Sequence, residues 1–156
     1  MSNNFMTLKF PALSINESFA RTVVASFALI LSPTIEQLSD LKTVVSEAVT
    51  NCIVHAYRGG EGEIEITARI SGNQIYVTIS DLGSGIDDID LAMQMMFTTR
   101  ADEERSGMGF TIKQAFADEL TVENNYPRGT KVSFSKKLFG DKKICAKGGE
   151  SFVRAK

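Results

Sequence analysis

The chain has 156 residues, of which 43% are hydrophobic and 23% charged, a balance that fits one globular domain with its own core. A formal net charge of -2 and a sequence pI near 5.5 exclude the chain-wide basic character on which nucleic-acid binders depend. Two cysteines, Cys52 and Cys145, are too few and too far apart for a disulfide framework or a metal site.

The sequence also predicts where the protein is found. No stretch reaches the roughly 18 to 20 apolar residues of a membrane span. The N-terminal residues lack the basic start and the apolar run of a secretory signal. Because cysteines are also scarce, the sequence predicts a cytoplasmic protein with no direct contact to membrane or nucleic acid.

The first third of the chain predicts a short strand and two helices. "MTLKF" indicates the strand, and "SINE" predicts a capping box, with Ser14 as the cap and Glu17 three residues later. The helix that follows is predicted to end at Pro33. From about Ile35 a second, strongly amphipathic helix is predicted. Its expected buried positions are Leu38, Leu41, Val45, Ala48, Val49, Cys52, Ile53 and Ala56.

After the turn "RGGEG" the apolar residues alternate with polar ones, which predicts a β-hairpin with one buried face. Its expected buried positions are Ile64, Ile66, Ala68, Ile70, Ile75, Val77 and Ile79. Residues 86–106 indicate a long loop, which inside a compact domain is usually functional or mobile. A helix that opens at "GMGF" and a closing hairpin, "LTVENN" and "GTKVSFSK", complete the predicted elements.

This order of elements predicts an α+β fold of two layers, in which helices cover one face of a mixed, mostly antiparallel sheet. Residues 1–138 are expected to form a single domain. Residues 139–156 carry basic side chains without periodicity, so we assign them to a disordered basic tail.

A polar stripe on the second predicted helix is the first candidate for chemistry. Glu47, Asn51 and His55, the chain's only histidine, follow one another at four-residue intervals. Side chains at this spacing lie above one another on a helix. Such a stripe usually faces solvent, so its interpretation depends on the glycine motifs that follow it. His55 lies near the helix end, where a histidine can pack or cap carbonyl groups.

The glycine motif "DLGSGI" places Asp81 at a strand end, followed by Gly83 and Gly85. These glycines allow positive φ and let the backbone approach a ligand closely. A carboxylate at this position can accept a hydrogen bond from the exocyclic amine of a purine.

Two further glycine motifs follow. In "RSGMGF", Gly107 and Gly109 lead into a helix, where free amide groups and the helix dipole favour a phosphate. In "GT", Gly129 and Thr130 enter the last predicted strand. Each motif alone is weak, because glycine-rich turns are mostly just turns.

In this order, "EAVTN", "DLGSGI", a long loop, "GMGF" and "GT" resemble the ATP-binding Bergerat fold of histidine kinases, type II topoisomerases and mismatch-repair ATPases, the GHKL superfamily. The sequence has no "GxxxxGK[ST]" motif of a P-loop. The resemblance implies a two-layer α/β sandwich that binds ATP or ADP with Mg²⁺.

The resemblance also implies roles for single residues. Glu47 is the general base, Asn51 binds Mg²⁺ through its amide oxygen, Asp81 reads adenine with help from Thr130, and Arg105 places charge on the terminal phosphate. The nucleotide-binding residues that it implies are Asn51, Asp81, Gly83, Gly85, Gly107, Met108, Gly109 and Thr130.

A closer resemblance covers most of residues 6–135. "LSINESFAR", "VASF", "KTVVSEAVTN", "FTT" and "ERSGMGFTI" are similar to segments of the anti-sigma F factors of spore-forming bacteria, the stage II sporulation protein AB family. This resemblance implies a homodimer that binds and inhibits the sporulation sigma factor F when it holds ATP. It also implies a serine kinase that inactivates an anti-anti-sigma factor of the stage II sporulation protein AA type. Arg21 is implied to contact these protein partners.

Three alternatives stay open. Ala56 stands where the sporulation branch is expected to have glycine, so a general-stress-type anti-sigma kinase of the same family is the first. The second is a nucleotide-gated sigma-binding module with little kinase activity, in which ATP orders residues 86–106. Glu47 argues against this module, because binding alone needs no base. The third is a plain ATPase, which would need a positioned water and a second domain to use the cycle.

Overall fold

A computed structural model describes residues 3–57, with the backbone alone at 55 and 56, and residues 61–83, 116–125 and 127–139. Within these ranges the chain forms an α+β sandwich in which two helices cover one face of a five-stranded sheet. Its elements are β1 (Asn4–Pro11), α1 (Asn16–Ala28), α2 (Ile35–Asn51), β2 (Glu63–Ser71), β3 (Gln74–Asp81), β4 (Glu119–Asn124) and β5 (Thr130–Lys137). This confirms the predicted fold class.

The strands lie in the order β1-β2-β3-β5-β4, and each neighbouring pair in the described residues is antiparallel. The register pairs Ile66 with Ile79 and Val77 with Phe134, so the apolar positions of successive strands lie side by side on one face. The hairpin prediction is confirmed at every expected core position. Its buried apolar residues are Ile64, Ile66, Ala68, Ile70, Ile75, Val77 and Ile79.

Helix α1 begins differently from the prediction. The residue at its N-cap is Ile15, which makes no side-chain capping bond, and Ser14 contributes only its backbone carbonyl, which accepts from the Glu17 amide at 3.2 Å. The predicted capping box is therefore wrong. The side chain of Glu17 instead accepts a hydrogen bond from Arg21, one helical turn later, at 3.0 Å.

A single turn separates the two helices. Helix α1 continues into a 3₁₀ turn, Leu29–Leu31, and the chain then reverses at Ser32, whose φ of 51° is left-handed. The helical stretch thus ends before Pro33, as predicted. A capping box does exist at the next helix, where Thr34 Oγ1 accepts from the Gln37 amide at 3.1 Å and Gln37 Oε1 accepts from the Thr34 amide at 3.0 Å.

Helix α2 begins at Ile35, as the sequence predicted, and packs its apolar side on the sheet. The buried residues of α2 and of the turn after it are Leu41, Val44, Val45, Ala48, Val49, Cys52 and Ile53. Leu38 packs against this core and is partly buried, whereas the side chain of Ala56 lies outside the described residues. Val44 was not among the predicted core positions, so the polar face of α2 is narrower than the pattern indicated.

The end of α2 widens into a π-helical turn, Cys52–Ala56. The amide of Tyr57 closes this turn by donating to the Cys52 carbonyl, five residues earlier, at 3.2 Å. π-Helical turns are uncommon and are frequently found at functional sites. The predicted loop 86–106, the predicted "GMGF" helix up to residue 115 and the tail beyond residue 139 lie outside the described residues.

Candidate nucleotide site

The polar stripe of α2 is present on the folded helix. Glu47 and Asn51 are both half-buried and lie one turn apart, while Ala48 and Cys52 of the same two turns are buried against the sheet. The packing of α2 therefore fixes the direction of the stripe. The side chain of His55 lies outside the described residues, so its role stays open.

Asp81, the last residue of β3, is a buried carboxylate with only 2% of its surface exposed. Its Oδ1 atom accepts hydrogen bonds from the amide of Gly83 at 2.9 Å and from the amide of Thr130 at 3.2 Å. Hydrogen bonds of this kind hold a carboxylate in one orientation and offset the cost of burying its charge. Two residues predicted to bind nucleotide, Gly83 and Thr130, thus position Asp81 through their backbones.

The main-chain carbonyl of Asp81 is also closely surrounded by neighbouring residues. It accepts a hydrogen bond from Asn125 Nδ2 at 2.9 Å. Gly129 has a φ of +102°, and a Cβ at this position would stand 2.0 Å from the same carbonyl oxygen. Only glycine fits here, so the "GT" motif has a structural reason that the sequence alone did not reveal. Asn125 was missed because nothing local distinguishes it from any other asparagine in a turn.

Cys52 links the α2 stripe to Asp81. The thiol is buried, with 4% of the residue exposed, and lies beside the Asp81 carboxylate. Burial raises the pKa of the Cys52 thiol well above its ordinary value, and the negative charge of Asp81 and the hydrogen bond it accepts raise it further. Cys52 therefore stays protonated at neutral pH, with its thiol beside the Asp81 carboxylate. Because Cys52 directly follows Asn51, this contact brings the stripe and the strand end together.

Arg21 lies on α1, at a separate place from Asp81. Its Nη1 atom donates to Glu17 Oε1 at 3.0 Å and to Ser46 Oγ at 3.3 Å, and Nη2 lies 3.5 Å from Ser18 Oγ. The Arg21 side chain is 39% exposed, so its guanidinium is oriented by its neighbours and still reaches solvent. Such an arginine can contact a partner without rearranging the helix.

The remaining predicted site residues lie outside the described part of the chain. They are Gly85, Arg105, Gly107, Met108 and Gly109. Their roles in binding phosphate stay predictions. Within the described residues, no group of three or more His, Cys, Asp or Glu side chains could hold a metal ion. None of the described helices is long and apolar enough to cross a membrane.

Comparison with known proteins agrees with this fold. Residues 10–136 match the family model described as "Histidine kinase-like ATPase domain". The chain therefore belongs to the histidine kinase-like ATPase domain family. The fold is also similar to the crystal structure of the RsbU and RsbW domains of Rv1364c from Mycobacterium tuberculosis, with a TM-score of 0.61 at 14% identity. That match covers 86% of this chain and 32% of the other, and because the identity is only 14% it shows the fold alone.

Three similar curated proteins are each named "Anti-sigma F factor". The protein from Thermoanaerobacter sp. (strain X514) is 57% identical over 139 residues, which are 89% of this chain and 97% of that protein. The protein from Caldanaerobacter subterraneus is 58% identical over 134 residues, 86% and 94% of the two chains. The protein from Bacillus subtilis (strain 168) is 47% identical over 143 residues, 91% and 98% of the two chains.

Proposed function

We propose that this protein is a cytoplasmic anti-sigma factor and an ATP-dependent protein-serine kinase. In this proposal the ATP-bound homodimer binds and inhibits sigma factor F, and the kinase phosphorylates an anti-anti-sigma factor. The similarity to proteins named anti-sigma F factor supports the first part. The observation that carries the enzymatic part is the buried Asp81, linked through Cys52 to the helix that presents Glu47 and Asn51.

Asp81 is suited to reading adenine because the amides of Gly83 and Thr130 both donate to one of its oxygens, Oδ1. A carboxylate offers about four acceptor positions on its two oxygens. The exocyclic amine of adenine is a donor that can use Oδ2, whereas guanine presents a carbonyl oxygen at the same place and would be repelled.

Asn51 is suited to a magnesium ion that arrives with the nucleotide. Mg²⁺ prefers oxygen ligands, keeps several waters and commonly takes only one or two ligands from the protein. A single half-buried amide oxygen on α2 fits this donor set, because the phosphates supply the other oxygens. When bound, the ion would neutralise charge on the phosphates.

Glu47 lies one turn before Asn51 on α2, and we assign it the role of the base. A serine hydroxyl is too weakly acidic to be deprotonated in advance, so Glu47 would orient the hydroxyl and accept its proton as the new bond to phosphorus forms. The half-buried position of Glu47 allows contact with a substrate hydroxyl, and the packed helix fixes the backbone from which the side chain extends.

The test is phosphate transfer from ATP to a purified anti-anti-sigma factor, comparing the wild type with Glu47→Gln. Transfer should fall by more than about a hundredfold, the usual contribution of a general base, while ATP binding is retained. Glu65→Gln, which removes a carboxylate paired with Lys9 on the open face of the sheet, is the matched control. Unchanged transfer in Glu47→Gln would refute the assigned role. A wild type that binds sigma factor with ATP yet transfers no phosphate would leave only the nucleotide-gated module.

A further inference from the structure

Tyr57 lies where the π-helical turn after α2 meets the sheet. The widened turn, closed by the bond from the Tyr57 amide to the Cys52 carbonyl, brings the tyrosine ring to the ends of β2 and β3. The ring packs on Gly62, where a Cβ would stand 2.2 Å from Cε1 of Tyr57. The shape of the turn and the absence of a side chain at Gly62 thus fix the position of the ring.

The Tyr57 hydroxyl bridges two strands. It donates to the carbonyl of Glu63 at 2.6 Å and accepts from the amide of Leu82 at 2.8 Å. Strands β2 and β3 are in register up to the pair Ile64 and Asp81, so Glu63 and Leu82 would form the next pair. The hydroxyl occupies the place of the direct hydrogen bond between them, and the two strands separate at this point.

The two hydrogen bonds of the Tyr57 hydroxyl are expected to be present at neutral pH, because the hydroxyl stays protonated. Burial, the largest effect, raises the pKa of Tyr57 from its ordinary value, and the neighbouring charge of Asp81 acts in the same direction. The bond from the Leu82 amide offsets part of this rise. A protonated hydroxyl can donate to one strand and accept from the other at the same time.

We propose that Tyr57 is a positioning residue of the nucleotide site, which holds Asp81 and the Gly83 amide where adenine binds. Leu82, the residue that the hydroxyl anchors, lies between the carboxylate and the amide that orients it. The same tyrosine follows the helix that carries Glu47 and Asn51, so it connects the two halves of the site. This inference rests on the proposed function and assigns the adenine specificity of that site to one further side chain.

The test is Tyr57→Phe in the full chain, which keeps the ring on Gly62 and removes only the hydroxyl. The Kd for ADP, measured by titration calorimetry, should rise about 5- to 30-fold, because two strand groups lose their common partner and Asp81 is no longer held. The preference for ADP over GDP should fall by a similar factor. In phosphate transfer, the KM for ATP should rise while kcat at saturating ATP stays within about twofold, since Glu47 is untouched.

Tyr76→Phe is the matched control. Tyr76 lies on β3 as well, but its hydroxyl donates to Gln74 on the face of the sheet away from the helices, so its removal should leave the Kd for ADP unchanged. Equal affinities in wild type and Tyr57→Phe would overturn the proposal, as would an equal loss in both variants. A wild type that binds no adenine nucleotide would instead refute the proposed function.

A second measurement does not depend on the variant being stable. In the wild type, hydrogen exchange at the Leu82 amide should be slow, because this amide donates a hydrogen bond to the Tyr57 hydroxyl, and bound ADP should slow it at least tenfold further. An exchange rate at Leu82 that does not respond to saturating ADP would overturn the proposal even if Tyr57→Phe failed to fold.

Discussion

Gly129 lies directly against the main chain of Asp81. A Cβ built on Gly129 would stand 2.0 Å from the Asp81 carbonyl oxygen and 2.8 Å from Cα of Leu82, and the φ of +102° is strained for any other residue. The two segments approach this closely because Thr130, the next residue, donates its amide to the Asp81 carboxylate. The Asp81 carboxylate and the entry to β5 therefore form one unit.

Replacing Gly129 with alanine should damage folding and binding together. The new methyl group can be accommodated only by moving backbone, so we expect the free energy of unfolding to fall by about 2 kcal/mol or more. The Kd for ADP should rise at least tenfold, because the shift displaces Asp81. Urea unfolding and calorimetry on the same preparation measure the two effects.

Gly72→Ala is the control for backbone strain alone. Gly72 also has a positive φ, of +60°, but a Cβ there would meet nothing within 4 Å. We expect a loss of about 1 kcal/mol and an unchanged Kd for ADP. If Gly129→Ala resembled Gly72→Ala in both measurements, the close approach to Asp81 would not be needed for the site.

Asp81→Asn should change which base is bound. The amide oxygen can still accept from Gly83 and Thr130, but the second position becomes a donor that faces the donor amine of adenine. We expect ADP to bind about 30-fold more weakly, which corresponds to about 2 kcal/mol, and GDP to lose less or to gain. Asp118→Asn is the matched control, since Asp118 accepts from the Lys137 amide at 2.6 Å elsewhere in the sheet. Parallel losses for ADP and GDP would contradict base reading by Asp81.

The parts of this fold that the sequence predicted are those that local periodicity determines. The alternation from Ile64 to Ile79 identified every buried apolar position of the β2-β3 hairpin, and the start of α2 at Ile35 was correct. The cap of α1 was predicted wrongly because Glu17 has a competing partner, Arg21, within the same helix. A four-residue motif cannot show which of two interactions prevails.

The candidate site was predicted only as a set of separate motifs. The contacts of Asp81 with Thr130 and of Tyr57 with Leu82 join residues 49 and 25 positions apart, so they depend on strand register. The sequence drew attention to Gly129 as part of a motif. The need for glycine there comes from the close approach of the Asp81 carbonyl, which the sequence does not show. The role of Tyr57 depends on a π-helical turn, which the helical pattern of α2 does not reveal.

Arg21→Ala should separate partner binding from stability. The ion pair with Glu17 is a surface i,i+4 pair, so its loss should cost less than about 1 kcal/mol of the free energy of unfolding. If Arg21 contacts the sigma factor, the Kd of that complex with ATP should rise about 10- to 100-fold. Arg69→Ala is the control, because Arg69 lies 4.4 Å from the centre of the Tyr76 ring on the other side of the sheet. Equal effects of both substitutions would argue against Arg21 as a contact residue.

The pair of buried Lys136 and partly buried Asp40 predicts a pH dependence of stability, whose sign follows from the pKa shift of Asp40. Lys136 Nζ lies 3.7 Å from Asp40 Oδ2, with the two side chains 7% and 19% exposed. Burial raises the pKa of Asp40 above its ordinary value of 3.8, Lys136 offsets part of that rise, and Glu36 adds to it. The cost of desolvating the carboxylate thus exceeds the attraction of the ammonium group.

The sign of the effect on stability follows from this raised pKa. A carboxyl group that binds its proton more tightly in the folded protein stabilises it fully below the unfolded pKa, about 3.9, and loses that contribution as the pH rises through the folded pKa. The free energy of unfolding of the wild type, relative to Asp40→Asn, should therefore decrease as the pH is raised from about 4 towards neutrality. Urea unfolding at several pH values measures this difference, with Glu65→Gln as a control for the loss of one surface carboxylate.

Glu36→Gln should make the decrease smaller, because it removes the charge that helps to raise the pKa of Asp40. A difference that increases with pH would mean that the attraction of Lys136 outweighs burial.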